Sequence, residues 1–462
     1  MNPNLVMSRR KAVVVTLAAA GGMLGGRIAM AAPPPVIGSA DLRGGLNAGS
    51  EGLAPGMAND QGKKLASIIA KAAGSNQPVF LPPGTYNIAN LDLLDGTRLH
   101  GVSGATRLVY GGGGHLFRAD GARRIEMSNL VLDGAGRGLG ENSAAIVHMR
   151  NVGDVILDNC EILGSAKTGI QLERCGGRID RCRIVGAADY ALLAIESTGL
   201  AITDNTVTDC GNGGILVHRW TKGADGTLVT GNRITGTRAT NGGTGQYGNA
   251  INIYRADDVQ VTGNHISRSA FSAIRSNAGS NIQIAGNQCL ASGETAIYSE
   301  FGFEGAIVNG NVVDGAANGI SIVNFNEGGR LATVSGNVVR NLSLTAPYEQ
   351  SDTFFGLGIS VEAETAVSGN VIENAPRFGL LLGWGPYLRN VVVTGNVVRQ
   401  AKTGCAVSVA DGAGSAVIAN NLFEQVPGGG VIGYRWHDVA SRELALEAAD
   451  FPQLTVMGNR VV

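Results

Sequence analysis

Short runs of alternating apolar and polar residues fill most of this chain, and Gly or Asn bounds nearly every run. One phrase recurs between residues 229 and 461 as VTGNRI, VTGNHI, VNGNVV, VSGNVV, VSGNVI, VTGNVV and VMGNRV. A second phrase, small–Gly–apolar–x–apolar, precedes most copies, as in TGIQLE, GGILVH, NAINIY, TAIYSE, NGISIV and LGISVE. Alternation with period two and enrichment in β-branched residues predict that both phrases form short strands.

The repeat has a period of about two dozen residues. Subtracting the positions of neighbouring Asn markers gives mostly 22 to 27; the markers are Asn205, Asn232, Asn264, Asn287, Asn311, Asn337, Asn370, Asn396, Asn421 and Asn459. This period is too short for paired-helix repeats, and the Leu frame of leucine-rich repeats is missing. We therefore predict an all-β, single-stranded right-handed parallel β-helix of about 13 rungs, with inward aliphatic stacks and an Asn ladder at one bend.

The first residues have the features of an export signal. Ser8-Arg9-Arg10 precedes an apolar run from Ala12 to about Leu24, and Ala29-Met30-Ala31 suits a signal peptidase. The twin Arg favours a Tat-type signal peptide over residues 1–31, with a Sec signal as the alternative. We predict a linker over residues 32–58, a β-helix domain over 59–462 and a capping helix at about 59–74, whose apolar face is Leu65, Ile68, Ile69 and Ala72.

Charge and cysteine content limit the possible partners. The chain has 36 Lys and Arg against 37 Asp and Glu. The first 31 residues hold four basic and no acidic residues, so the rest carries 32 against 37, a net charge of −5. This balance disfavours nucleic acid as a partner. Cys160 and Cys182 share the Asn position on adjacent rungs, within disulfide range, although buried thiols are the simpler expectation.

The second phrase also predicts which side chains point outward. Polar outward positions concentrate between Gln171 and Glu362, and loops at 238–248 and 342–355 are long enough to wall them. A sugar polymer is the natural ligand for such a surface. We predict catalytic roles for four residues: His218, Tyr254, Glu196 and Glu300. We predict substrate binding for ten more: Gln171, Glu173, Arg219, Trp220, Asn252, Arg255, Arg275, Asn277, Tyr298 and Glu362.

Strand spacing allows more than one chemistry at these residues. Adjacent strands lie about 4.8 Å apart, so Glu173 and Glu196 would suit a retaining glycosidase, and Glu300 with Glu362 an inverting one. A lyase would instead use His218 or Tyr254 as base beside an Arg. We expect Glu196, as a neighbour of His218, to raise the pKa of that imidazole. An outward polar column also arises in a β-helix that has no site.

The chain resembles the pectate-lyase-like right-handed β-helix superfamily. The resemblance rests on Asn59-Asp60 and the helix after it, on VFLPPGTY and LDGTRLHG, and on the Gly-Asn rungs. With Ser8-Arg9-Arg10, the chain is similar to uncharacterised twin-arginine-translocated β-helix repeat proteins. It lacks the Asp-Pro-His motif of the epimerases, the paired Asp of polygalacturonases and the calcium-binding Asp cluster of pectate lyases.

The resemblance implies a carbohydrate-active protein of the periplasm or cell exterior. It implies a polysaccharide partner, with uronate-containing polymers among the candidates, contact with the Tat translocase during export, and lyase or hydrolase activity. Calcium is a possible cofactor, and we expect a monomer. A non-catalytic protein that binds polysaccharide or envelope material, or a structural repeat protein, is the alternative.

Overall fold

A helix packs against the first turns of a long β-coil. The computed structural model describes residues 44–242, 245–348, 355–446 and 450–462. The predicted signal peptide and residues 32–43 of the linker lie outside these ranges. Helix α1 spans Gly62–Gly74, and its predicted apolar face is buried in the core. Asp60 accepts hydrogen bonds from the amides of Gly62 and Ala89, which ties the helix to the coil.

The coil consists of three stacks of short strands, in which each strand pairs with the equivalent strand one turn later. Among the described residues, all pairings between strands are parallel except that of Val431–Arg435 with Asp438–Glu443, and an isolated antiparallel bridge joins Trp384 and Tyr387. The fold is therefore the predicted parallel β-helix. A short 3₁₀ turn lies at Phe325–Glu327. Within the described ranges, no helix has the length and apolarity needed to cross a membrane.

The first stack is a sheet of 16 strands: Leu46–Asn47, Val79–Phe80, Arg98–His100, Arg124–Ser128, Asp154–Asp158, Gly177–Asp180, Ala201–Thr203, Leu228–Thr230, Gln260–Thr262, Ile282–Ala285, Glu304–Asn309, Arg330–Ser335, Thr365–Ser368, Val391–Thr394, Ala416–Ala419 and Leu454–Met457. This exceeds the predicted number of about 13 because the earliest strands lack the Gly-Asn phrase. The strand Leu46–Asn47 also lies inside the segment that we predicted to be a linker.

The second stack follows the Asn bend: Gly84–Ile88, Thr106–Tyr110, Val131–Asp133, Glu161–Leu163, Arg183–Val185, Thr206–Thr208, Arg233–Thr235, His265–Ser267, Gln288–Leu290, Val312–Ala316, Val338–Leu342, Val371–Leu382, Val397–Ser408, Leu422–Glu424 and Arg460–Val461. The third stack carries the second phrase: Leu91–Asp92, Phe117–Asp120, Ala145–Arg150, Thr168–Glu173, Tyr190–Ile195, Gly213–Ala224, Asn249–Asp257, Ile274–Asn277, Thr295–Glu300, Asn318–Ile322, Leu357–Val361 and Val431–Arg435, with Asp438–Glu443 at its end. The long strands Val371–Leu382 and Val397–Ser408 belong to both stacks.

A buried Asn ladder fixes the register between the first and second stacks. In each step the next Asn Oδ1 accepts the side-chain Nδ2–H of the previous Asn at 2.9–3.0 Å, from Asn205 to Asn459. The same oxygen accepts the previous Asn backbone N–H. Buried amides are costly unless they are paired, so each Asn specifies its own place in the stack.

The residue before each ladder Asn supplies the bend. Gly231 and Gly336 have φ of +70° and +64°, a left-handed conformation that Gly adopts without steric cost. Cys160 and Cys182 occupy the ladder position on earlier turns, where both are free and buried thiols. The predicted ladder is therefore present, and the left-handed residue of the Gly-Asn pair is the Gly.

Candidate functional site

Strand pairing in the third stack defines two columns of outward side chains. The central column runs through His148, Gln171, Leu193, Leu216, Asn252, Arg275, Tyr298, Ser321, Ser360 and Leu381. The outer column runs through Arg150, Glu173, Ile195, His218, Tyr254, Asn277 and Glu300, and reaches Glu362 two strands later. From His218 to Glu362 this register agrees with the predicted one.

Earlier in the chain the predicted register was off by one residue. Glu173 lies beside Ile195, so Glu196 is not its neighbour in the column. Glu196 instead lies just past the strand with a φ of +50°, and its carboxylate accepts the amide of Trp220 at 2.6 Å and pairs with Arg219 at 3.0 Å. The predicted retaining pair of Glu173 and Glu196 is therefore wrong.

His218 and Tyr254 lie side by side, as predicted, but His218 is not placed beside an acid that would charge it. The two rings meet edge to face with centroids 5.7 Å apart. Burial lowers the pKa of His218 to about 4, so the expected upward shift is wrong and the imidazole is neutral at pH 7. Arg255 lies over the Tyr254 ring at 4.9 Å and donates to the Trp220 carbonyl, while the Trp220 side chain is 64% exposed.

The middle of the face is closed by a loop and by ion pairs. A Cβ on Gly245 would fall 1.7 Å from Nη1 of Arg275, so the loop backbone lies directly on that guanidinium. Arg275 pairs with Glu300 at 2.6 Å and with Glu294 at 3.5 Å. Asn277 also donates to Glu300, which is 2% exposed. Glu300 is therefore committed to structural contacts, and Asn252 beside Arg275 is likewise buried.

The central column opens into a cleft of about 230 Å³ beyond this closed section. We call it the serine cleft, because the small Ser321 and Ser360 lie between the larger Tyr298 and Leu381. The remaining lining residues are Glu294, Thr295, Asn318, Val323, Asn324, Asn326, Leu357, Glu362, Trp384 and Tyr387. Its size and its mixture of aromatic, hydroxyl, amide and carboxyl groups suit a sugar ring.

Glu362 is the carboxyl of the serine cleft whose pKa is raised close to neutral pH. Burial raises the pKa of its carboxyl to about 7, and hydrogen bonds from the Phe325 and Asn324 backbone offset this only in part. The Phe325 amide donates to Glu362 Oε2 at 2.6 Å. Among the described residues, Glu362 has no cationic partner within ion-pair distance. The carboxyl is therefore half protonated near pH 7.

A second carboxyl, Glu294, also lines the serine cleft. Burial raises its pKa, and Arg275 and the Tyr348 hydroxyl, which donates to Glu294 Oε1 at 2.5 Å, oppose the shift. Trp384 forms an aromatic wall and packs edge to face against Trp436, with ring centroids 5.6 Å apart. Trp436 in turn rests on Gly385, where a Cβ would fall 2.3 Å from the indole.

A separate polar cleft of about 720 Å³ lies at the other end of the same face. We call it the histidine cleft. His148 Nε2 lies 2.9 Å from Glu173 Oε1, and Gln171 donates to the same oxygen at 2.7 Å. Burial alone would raise the pKa of Glu173, but hydrogen bonds from His148 and Gln171 outweigh it and lower the pKa. Glu173 therefore stays ionised at neutral pH.

Calcium is not supported by the donor set. In the ranges that the structure describes, no three His, Cys, Asp or Glu side chains are placed to hold a metal ion. The two clefts instead contain carboxyls paired with amides, hydroxyls or an imidazole. We therefore derive no step that involves a metal.

Two family models match the chain. The model of the right-handed β-helix region matches residues 109–234, and that of the periplasmic copper-binding protein NosD matches residues 225–438. The chain is a right-handed β-helix protein. The segment of this β-helix protein that matches NosD has two His, two Cys and no Met. Both of these Cys are buried in the core, so the residues present do not form a copper site.

Solved structures agree on the fold of this β-helix protein. The N-terminal fragment of bacteriophage Phi29 gene product 12 is 15% identical over 89% of this chain and 70% of its own, with a TM-score of 0.51. Tailspike protein 3 of bacteriophage CBA120 is 11% identical over 91% and 61%, with a TM-score of 0.50. The GH87 α-1,3-glucanase of Streptomyces thermodiastaticus is 17% identical over 94% and 70%, with a TM-score of 0.48. No curated protein sequence gives a significant match.

The structure divides the predicted site residues into three groups. Tyr298 and Glu362 line the serine cleft, and Gln171 and Glu173 line the histidine cleft. The other ten lie in or beside the closed middle section. Sequence reasoning missed His148, Glu294, Trp384 and Tyr387 as site residues. A strand register one residue later would have placed His148 in the outward column, whereas Glu294 and Tyr387 precede or follow strands and carry no periodic signal.

Proposed function

We propose that this β-helix protein acts on a polysaccharide and that the serine cleft binds one of its sugar rings. The observation that carries the proposal is Glu362, a carboxyl whose pKa burial raises to about 7 inside a cleft of sugar size. Trp384 offers a flat apolar face for a ring, and Ser321, Ser360 and Asn318 offer hydroxyl and amide groups for its hydroxyls.

The chemistry that this arrangement supports best is hydrolysis of a glycosidic bond. Protonated Glu362 donates its proton to the glycosidic oxygen as the bond from that oxygen to the anomeric carbon breaks. Water then supplies the new hydroxyl on the anomeric carbon, and its second proton passes to the solvent. A group with a pKa near 7 suits the acid role, because it is still protonated at neutral pH and releases its proton readily.

The charges of the serine cleft favour a neutral sugar over a uronate. Its lining includes the carboxyls Glu294 and Glu362 and no Lys or Arg. The nearby Arg275 is already engaged by Glu294 and Glu300. A uronate would add an anion beside Glu362 without a cation to offset it, which is costly in a partly buried site.

A polysaccharide panel tests the proposal. The purified protein is incubated with neutral glucans, mannans and xylans and with alginate and pectate, and reducing ends and absorbance near 235 nm are followed. We expect reducing ends from a neutral polymer, and a loss of about a hundredfold or more in Glu362→Gln, because the amide cannot donate the proton of an acid. Glu373→Gln, which removes an exposed carboxylate paired with Arg399, is the matched control and retains activity.

Other outcomes of the panel point elsewhere. A rise at 235 nm on alginate or pectate would replace hydrolysis by lyase chemistry. Full activity in Glu362→Gln would remove this residue from the mechanism. Binding without any turnover would favour the alternative, a carbohydrate-binding protein that does no chemistry.

We also propose that the protein is exported through the Tat pathway and works in the periplasm or outside the cell. Support comes from Arg9-Arg10 with the apolar run after it, and from the match to a family described as periplasmic. Changing Arg9 and Arg10 together to Lys should hold the protein in the cytoplasm, as cell fractionation would show. Normal export of that variant would favour the Sec route.

A further inference from the structure

The histidine cleft contains polar groups that are expensive to bury and only partly satisfied. His148 is 6% exposed, and its Nδ1 is buried without a hydrogen-bond partner among the described residues. Its other nitrogen is held by Glu173 at 2.9 Å. Burying a nitrogen without a hydrogen-bond partner is costly, so a structural role alone does not account for His148.

Lys167 and Asp189 also line this cleft, and their pairing is likewise incomplete. Lys167 Nζ donates to the carbonyls of Ser143 at 2.8 Å and Gly140 at 3.2 Å, and it forms no ion pair within the described ranges. Burial raises the pKa of Asp189, and the side-chain amide of Asn212 donates a hydrogen bond to its Oδ1 at 3.1 Å. Three ionisable groups therefore face one cleft with hydrogen-bonding capacity left over.

We propose that the histidine cleft is a second carbohydrate-binding site, and that it takes a neutral sugar through its hydroxyls. Hydroxyl groups both donate and accept, which matches a wall that holds carboxylates, amides, an ammonium and an imidazole. Three carboxyls, Glu141, Glu173 and Asp189, line the cleft with two cations, Lys167 and Arg150, and Arg150 is already paired with Asp120, so the charges do not select an anion. This proposal does not depend on hydrolysis at the serine cleft.

The two clefts are separate sites on one face. Six strand spacings lie between Gln171 and Ser321 in the central column, which puts the sites about 29 Å apart. Between them Leu193 and Leu216 interrupt the polar column, and Tyr247 stacks on Tyr190 at 6.5 Å. A short oligosaccharide in one cleft therefore does not reach the other.

Calorimetric titration with neutral trisaccharides, which are too short to bridge the two clefts, tests the proposal. The probes are the trimers of α-1,4-glucan, β-1,4-glucan, β-1,3-glucan and β-1,4-mannan, each titrated into Glu362→Gln so that no turnover interferes. We expect Glu173→Gln in that background to weaken binding at one site about tenfold, because hydrogen bonds from sugar hydroxyls to a carboxylate are stronger than those to an amide. Glu161→Gln, which removes a carboxylate paired with Arg183 on the second stack, is the matched control and leaves binding unchanged.

Histidine NMR locates the site independently. In ¹⁵N-histidine protein the His148 signal, assigned by its loss in His148→Gln, should move on adding the trisaccharide that binds, while the His265 signal stays. If Glu173→Gln melts early, Gln171→Ala replaces it with the same expectation. Equal affinity in Glu173→Gln and its control, no movement of the His148 signal, or no binding by any of the four probes would overturn the proposal. If the wild-type protein shows no turnover but the His148 signal still moves on adding the sugar, the result counts only against hydrolysis at the serine cleft.

Discussion

Glu173 and Glu362 occupy the same outer column of the same strand stack, yet their pKa values shift in opposite directions. The difference lies in two register positions. Relative to Glu173, the central column holds Gln171 on the same strand and His148 on the preceding one. Relative to Glu362, the same two positions are Ser360 and Ser321.

Side-chain length therefore decides both the charge of the carboxyl and the shape of the cleft. His148 and Gln171 are long enough to donate to Glu173, and their hydrogen bonds outweigh its burial. Among the described residues neither serine donates a hydrogen bond to Glu362. This carboxyl therefore keeps a raised pKa, and the short serine side chains leave an open space beside it. In a repeat fold, equivalent acids thus acquire different chemistry from two neighbouring substitutions.

A change in turnover should come from giving Glu362 the partner that Glu173 has. Ser321→His places an imidazole at the position equivalent to His148, and it should lower the pKa of Glu362 toward its ordinary value of 4.5. Turnover at pH 7 should then fall about tenfold or more, because less of the acid is protonated. The pH–rate profile measures this as an alkaline limb moved to lower pH. Ser335→His on the first stack is the control, and an unmoved limb in Ser321→His would break the comparison.

The pH dependence of stability should show the same raised pKa without any substrate. The folded state keeps a proton on Glu362 up to about pH 7, whereas the unfolded chain releases it near pH 4.5. Between these values the folded state binds more protons, so this group's contribution to stability falls as pH rises, by on the order of 3 kcal/mol in total. Denaturant unfolding at several pH values should show this slope in the wild type and a flatter one in Glu362→Gln. Equal slopes in both proteins would mean that the burial of Glu362 is not costly.

A smaller effect is expected when Glu173 loses its partner. His148→Ser should raise the pKa of Glu173, because burial then outweighs the remaining hydrogen bond from Gln171. In the wild type this lowered pKa gives stability that is present above pH 4.5 and is lost as pH falls through the folded value, so the variant should lose about 1 kcal/mol at pH 7 and less in acid. A side-chain carboxyl NMR titration measures the shift directly. An unchanged titration would show that Gln171 alone keeps Glu173 ionised.

The sequence predicts the parts of this molecule that repeat. The Gly-Asn phrase identifies the ladder, and the Gly of the second phrase sets the register from His218 to Glu362. The prediction failed at Glu196, because Ala191 to Ile195 are all apolar and do not indicate which positions of the strand point outward. It also failed to single out the serine cleft, because that cleft depends on Trp384, which follows a strand, and on the loop backbone at Gly245 that closes the neighbouring section.

The Asn ladder makes the distance between the two clefts a quantity that changes only in whole steps. Each amide bonds its counterpart one turn later, so removing or duplicating one complete turn restores every bond in the ladder. Such a change would alter the separation of the clefts by about 4.8 Å and leave each cleft intact. The separation of the two clefts can therefore change by one turn at a time, while the residues of each cleft stay the same.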